Sequence, residues 1–424
     1  MNASLRPLVY AVVWLAVVFV SGCGDPQSPK RSASPLEAPG TTSVDSFLER
    51  HWDRPLAREG AAPAGIEPQL LALAPGACGT CHAAQYDDWR RSLHSRAMGP
   101  GVLGQLAATT PGDRESLQAC VRCHAPLGEQ LESLVTAVST GKVAQPELPS
   151  DNASAHEHGL TCAGCHVRGY RWFGPPRRDG TAPTAGQTGF PHNGWTANAA
   201  FEDSRFCATC HQFAADDFAL NGKLLENTFA EWKASRHARE ERHCQSCHMP
   251  DRRHLWRGIH DAGMVRQALQ IEPAAPSVKE RTVVGSLTMK NTGAGHYFPT
   301  YVTPAVIAEG FQEDASGNIL PGTLRQHVIG RQVALDLSKE LSDTRIAPDA
   351  ETVFEYRAPL HRSAVALGFR IRVDPDAFYR GFYRSLLHDN PDAKGSMLIR
   401  GALRTATDSV YTAYSWRELL PASQ

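Results

Sequence analysis

The distribution of apolar residues divides the chain into four stretches of different character. An apolar run from Leu8 to Val20 follows Arg6. It is short for a membrane span, which takes about 20 residues, and suits the core of a secretory signal. From Cys23 to about Ala74 no apolar period is visible, and Pro26, Pro29, Pro35 and Pro39 recur among Ser, Ala and Gly. That composition predicts a flexible tether whose one ordered piece is an amphipathic turn around Phe47 and Trp52. Between 75 and 272, short helical patterns such as Ala83 to Leu93 and Asn227 to Arg239 alternate with Gly- and Pro-rich connections. The longest connection, Arg168 to Gly194, reads as a surface loop. After about Pro276 the runs Thr282–Met289, Val302–Glu309, His327–Leu335, Thr352–Tyr356, Gly368–Val373 and Met397–Ala406 are strand-like, with a helix predicted over 376–388. The division is therefore a signal peptide (1–22), a tether (23–74), a mainly α, irregular domain (75–272) and an all-β, sandwich-like domain (277–424).

The chemistry is concentrated in the third stretch. Cys-x-x-Cys-His occurs five times: Cys78/Cys81/His82, Cys120/Cys123/His124, Cys162/Cys165/His166, Cys207/Cys210/His211 and Cys244/Cys247/His248. Two thiols three positions apart can each add to a vinyl group of one porphyrin, and the next imidazole then lies beneath the iron. Each motif is thus the attachment signature of a c-type haem, which predicts five covalently bound haems. Zinc held by paired Cys-x-x-Cys is the competing reading, but it explains neither the five histidines nor an export signal. The motifs begin 42, 42, 45 and 37 residues apart. Segments of that length bury little core alone, so porphyrins are expected to supply much of the apolar interior.

The remaining cysteine bears on compartment. Ten of the eleven cysteines lie in the motifs, leaving Cys23. Val20-Ser21-Gly22-Cys23 resembles the lipobox of bacterial lipoproteins, which implies cleavage before Cys23, acylation there, and a stable two-signal membrane anchor. Gly24 follows, not the aspartate typical of inner-membrane retention, so the outer membrane is favoured for a Gram-negative host. Haem attachment outside the inner membrane agrees with export. The 43 Lys and Arg balance 44 Asp and Glu, and no basic block points to nucleic acid.

The sixth iron position is expected to take histidine. Of eighteen histidines five belong to motifs, against six methionines in the whole chain, and Met249 adjoins His248 on the wrong side to bind the same iron. The segments Cys78 to His94 and Phe229 to His237 share a Trp-x-x-Ser-x-His pattern, in Trp89…His94 and Trp232…His237. This is similar to the multihaem cytochrome c family typified by the tetrahaem electron acceptor of hydroxylamine oxidoreductase. The resemblance implies that His94 and His237 cap the irons of neighbouring haems. Glu157-His158-Gly159 resembles the family's lead-in to a haem motif and makes His158 a further ligand candidate, with His156 behind it. The tail His254 to Asp261 offers His254 or His260. Gly295-His296-Tyr297-Phe298-Pro299-Thr300 resembles a loop that accompanies multihaem cytochromes with an attached β domain, and implies that His296 reaches an iron across the domain boundary. His51, His192, His327, His361 and His388 are expected to be structural, and His243 is poorly placed for its own haem. The chain departs from the tetrahaem pattern in having five motifs and a further domain.

These residues imply an electron carrier exchanging electrons with redox proteins of the cell envelope, without a catalytic residue. The alternative is a multihaem reductase acting on nitrite, hydroxylamine or a sulfur oxyanion at a five-coordinate haem. Pentahaem nitrite reductases typically carry Lys in one motif, and all five motifs here end in His. A third reading makes the β domain a docking module.

Overall fold

The structure is a computed structural model that describes residues 43–53, 56–143, 153–179, 181, 192 and 194–421. The signal segment and Cys23 lie outside the described residues. Among the described residues, no helix is long and apolar enough to cross a membrane.

The haem-motif region is built from short helices with little core of their own. A helix over Val44–His51, capped by Ser43, buries Phe47 and His51 against Phe173 and Phe201. Glu59 is buried too and accepts from the Tyr170 amide, at 2.7 Å. Part of the segment expected to be a tether is therefore packed onto the domain, because Phe47 and His51, one turn apart, share the buried face of this helix. Helices Arg114–His124 and Gly128–Thr140 gather the largest cluster of this region around Leu103, Leu117, Val121, Leu131 and Leu134. The other motifs sit at helix ends: Cys162–His166 is capped by Thr161, Ser204–His211 by Asp203, and Cys244–His248 follows His243. The expected helix over 227–239 is split into Thr228–Lys233 and Arg236–Arg239. Arg168–Gly174 is not loop but a tight hairpin, in which Val167 pairs with Trp172.

Two large antiparallel sheets and a two-stranded one, Arg331–Val333 with Glu340–Asp343, form the C-terminal region. One large sheet has the order Arg325–Ile329, Ala305–Glu313, Ala366–Asp374, Tyr411–Leu419; the other Glu351–Pro359, Thr282–Asn291, Leu269–Pro273. The strict alternation of buried and half-buried positions along Thr282–Asn291 presents Val283, Leu287 and Met289 to the other sheet. There they meet Ala308, Leu367, Phe369 and Ile371 in one continuous core. The close approach has a steric origin: a Cβ at Gly310 would lie 2.6 Å from the Tyr356 ring, and one at Gly368 2.4 Å from Phe311.

Two expectations for this region need correcting. Leu269–Pro273 pairs with the sheet, Ile271 opposite Met289, so the β region begins at 269 and not at 277. It is also not all β. Besides Ala377–Asp389, the run read as a strand over 397–406 is a helix, Ser396–Asp408, burying Ile399, Ala402 and Ala406 at intervals of three and four. This helical pair returns to the motif-bearing region. Gly101 faces Tyr383, and Gly104 faces Ile399 and Gly395 too closely for any side chain.

Ion pairs complete the junction. The buried Arg331 donates to the carbonyls of Leu220, Lys223 and Leu224 and to Glu340. Lys223 reaches Glu340 and Asp343, and Arg345 reaches Asp343 and Glu231. Glu340 and Asp343 each serve two cations from different elements, which holds the two regions in one register.

Candidate haem-iron sites

All ten described cysteines are free thiols. The sulfurs of Cys78 and Cys162 are hydrogen-bonded neighbours, and so are those of Cys207 and Cys244. The first and third motifs therefore adjoin, as do the fourth and fifth. Cys165 and Cys207 are close enough to influence each other electrostatically, as are His124 and His211. Every motif thus has a thiol or imidazole neighbour from another motif, which ties the five into one cluster.

The motif imidazoles are oriented by fixed acceptors. Nδ1 of His124, His166 and His248 donates to the carbonyls of Ala97, Phe173 and Arg257 at 2.6, 2.7 and 2.7 Å. A carbonyl can only accept, so the proton is on Nδ1 and the Nε2 lone pair is left for a metal. His211 Nδ1 makes its bond, 2.5 Å, to the Tyr301 hydroxyl. Burial pushes the His94 ring down to about 3, helped by His211, His248 and His254, and pushes His166 and His211 to about 4. Neutral imidazole, the form that binds iron, is thereby held at neutral pH.

Three motif rings face a second imidazole from a distant segment. The ring centres of His211 and His94 are 6.3 Å apart, those of His166 and His254 6.2 Å, and those of His248 and His296 6.4 Å. Two imidazoles on opposite sides of one iron would stand roughly 6.2 Å apart, given metal–nitrogen bonds of about 2 Å and about 1.1 Å from nitrogen to ring centre. The separations match. Nδ1 of His254 and of His296 is taken by the carbonyls of Arg252 and Tyr297, again leaving Nε2. His94 Nδ1 is buried without a protein partner. The donor set fits a c-type haem: paired free thiols, then an imidazole with its second nitrogen already oriented, and in three cases a facing imidazole.

The other expected ligands are placed differently. His158 and His237 are both buried, the latter against Gly295. His260 is exposed and spends its Nε2 on Asp376 at 3.1 Å, a bridge between the two regions. His51 is buried but spends Nε2 on the Cys165 carbonyl. His192, expected to be structural, lies near the first haem motif, and His156, the residue named behind His158, keeps one nitrogen unused. His192 stacks on Trp172, keeps Nδ1 on Gly194 O and acts electrostatically on His82. His156 holds Nδ1 on Ser133 and leaves a buried Nε2 without a protein partner.

The repeated Trp-x-x-Ser-x-His element has one structural job in both copies. Trp89 Nε1 donates to Leu160 O, and Trp232 Nε1 to Arg242 O, in each case two residues before a motif cysteine. In return the Leu160 amide donates to His94 O, and the Arg242 amide to His237 O. Gly159, with φ of +63°, allows this docking, since a Cβ there would lie 2.6 Å from His94 O. Sequence reading also missed the support of His254. The buried Asp88 takes both Nε and Nη2 of Arg253, at 2.6 and 2.7 Å, and the His254 amide at 3.1 Å. Trp256 stands edge-on to both His94 and His254, with centres 4.7 and 5.0 Å away.

Comparison with known proteins points to the same class. Residues 77–167 match the family model described as cytochrome c554 and c-prime. The fold is similar to that of a penta-heme cytochrome c552 from Thermochromatium tepidum, with a TM-score of 0.57 and 17% identity, over 83% of this chain and 100% of that one. No curated protein matches the chain in sequence. The two matches, with the five motifs, support a multihaem cytochrome c carrying c-type haem.

Proposed function

We propose that the chain is an electron-transfer protein of the bacterial cell envelope carrying five covalently bound haems. The observation that carries this reading is the set of three imidazole pairs, each joining a motif histidine to a residue far away in sequence, at the separation one iron requires. A haem bound in such a site supplies one-electron exchange at iron. The chain's own residues do the rest. Cys207 and Cys210 fix the fourth porphyrin while His211 and His94 hold its iron; Cys162, Cys165, His166 and His254 serve the third, and Cys244, Cys247, His248 and His296 the fifth. Cys78, Cys81 and His82, and Cys120, Cys123 and His124, serve the first and second.

With two imidazoles to hold each iron at the third, fourth and fifth motifs, electron gain or loss there would need no ligand to move, which suits a carrier better than an enzyme. The adjoining thiols give the order first, third, fourth, fifth for a conducting series, with the second beside the fourth. Redox proteins of the envelope would load and unload it. The export signal and Cys23 support a lipid anchor, with the outer membrane favoured.

The test is the intact mass and visible spectrum of protein purified from the membrane fraction. The reading predicts five haem additions, a diacylglyceryl group at Cys23 and reversible reduction of every haem. A colourless protein, or one lacking the five additions, would end it. A coloured protein with a high-spin ferric signal that nitrite or hydroxylamine perturbs would replace the carrier with the reductase.

A further inference from the structure

The loop that delivers His296 carries a second residue to the haem cluster. Tyr301 follows Thr300 with a φ of +63°, a conformation uncommon for a bulky residue and tolerated where the surroundings dictate it. Its hydroxyl is 2.5 Å from Nδ1 of His211. The same hydroxyl is hydrogen-bonded with Glu226 and Thr228. Thr228 in turn contacts Glu226 Oε1 at 3.0 Å and Thr300 Oγ1 at 2.7 Å. Glu226 and Thr228 lie in the haem region, Thr300 and Tyr301 in the C-terminal region.

The hydroxyl's inventory decides the direction of each bond. A phenol has one proton to donate and two lone pairs to accept with. With Nε2 given to iron, His211 carries its proton on Nδ1 and donates it to the phenol oxygen, and the phenol's own proton is left for the Glu226 carboxyl. His124, His166 and His248 give their Nδ1 proton to backbone carbonyls, which side-chain substitution cannot remove. His211 is the one of these four whose partner is a side chain.

We propose that Tyr301 is a positioning residue through which the C-terminal region orients and polarises His211, lowering the reduction potential of the iron that His211 holds. Drawing the Nδ1 proton away makes the imidazole more basic, and a more basic ligand favours ferric iron. Glu226 strengthens the effect by taking the phenol's own proton. The inference rests on the proposed haem at Cys207 and Cys210.

Spectroelectrochemical titration of the full-length holoprotein tests it. In Tyr301→Phe, one of five midpoints should rise by about tenfold in the reduction equilibrium, which is ~59 mV for one electron, while four stay in place and the spectrum stays low-spin. Glu226→Gln should move the same midpoint upward by less. Five unmoved midpoints in a variant that retains all its haems would overturn the proposal, as would a shift shared by all five. Should Tyr301→Phe fail to mature, Glu226→Gln decides alone: an unmoved midpoint there rejects the role. Wild-type protein lacking haem by mass would instead refute the function on which the inference rests.

Discussion

The two halves of the molecule solve the problem of an interior in opposite ways. In the C-terminal region, eighteen buried residues from both sheets join in one cluster around Leu287, Tyr356 and Phe369. In the haem-motif region the largest cluster holds nine, mostly from helices around the second motif, and the next is a group of three. Among the described residues, the first, fourth and fifth motifs contribute no buried residue to either. A chain that buries so little apolar surface of its own does not offset the entropy of ordering its backbone. The difference teaches that one region is folded by its sequence alone and the other by its sequence together with its cofactors.

Withholding haem breaks the comparison most sharply. Protein made without haem attachment should lose the ordered structure of residues 75–268, while the region from Leu269 onwards survives limited proteolysis. Uniform digestion, or uniform survival, would count against the distinction. Next in size, Phe369→Ala should cost the C-terminal region about 3–5 kcal/mol, read as a lower melting temperature with the haem absorbance spectrum retained. Arg331→Met removes one side of a buried ion pair at the junction and leaves Glu340 short of a cation. It should cost about 3 kcal/mol and make the two regions melt separately in calorimetry, where the wild type shows one transition. Asp88→Asn should cost about 1–3 kcal/mol and loosen His254, appearing as a fractional high-spin signal from one haem.

The smallest effect is with pH. Burial works to raise Asp343, but hydrogen bonds from Arg345 and Lys223 outweigh it and hold the carboxyl well below the usual range. A depressed folded-state value contributes stability above the unfolded pKa of about 3.9, and that contribution fades only as pH falls through the folded value. The junction should therefore stay closed through pH 4 and open in stronger acid, as followed by scattering. Opening at pH 5 would contradict the role given to Asp343.

What could be read from the sequence follows the range of the interactions concerned. The five haem motifs are local, three residues and a neighbour, and so were plain. Strands such as Thr282–Asn291 and Glu351–Pro359 were legible because alternation repeats within one strand. The run from Met397 failed because a few closely spaced apolar residues fit either period, and its partners, Gly101 and Gly104, lie some three hundred residues away. The facing histidines are harder still. His166 and His254 are 88 positions apart, and no spacing rule links them. The family resemblance singled out His94, His237, His158 and His296 and left His254 and His260 as alternatives, which nothing in their neighbourhood distinguished before Asp376 was seen beside His260. Tyr301 and Asp88 act through other residues and carry no motif at all.

Electron paramagnetic resonance of the oxidised protein, with low-spin bis-imidazole ferric haem counted per polypeptide, tests the pairing of His94, His254 and His296 with motif histidines most directly. The account predicts at least three such haems, and one fewer in His296→Met. A count below three, or a His296→Met spectrum identical to the wild type, would contradict it.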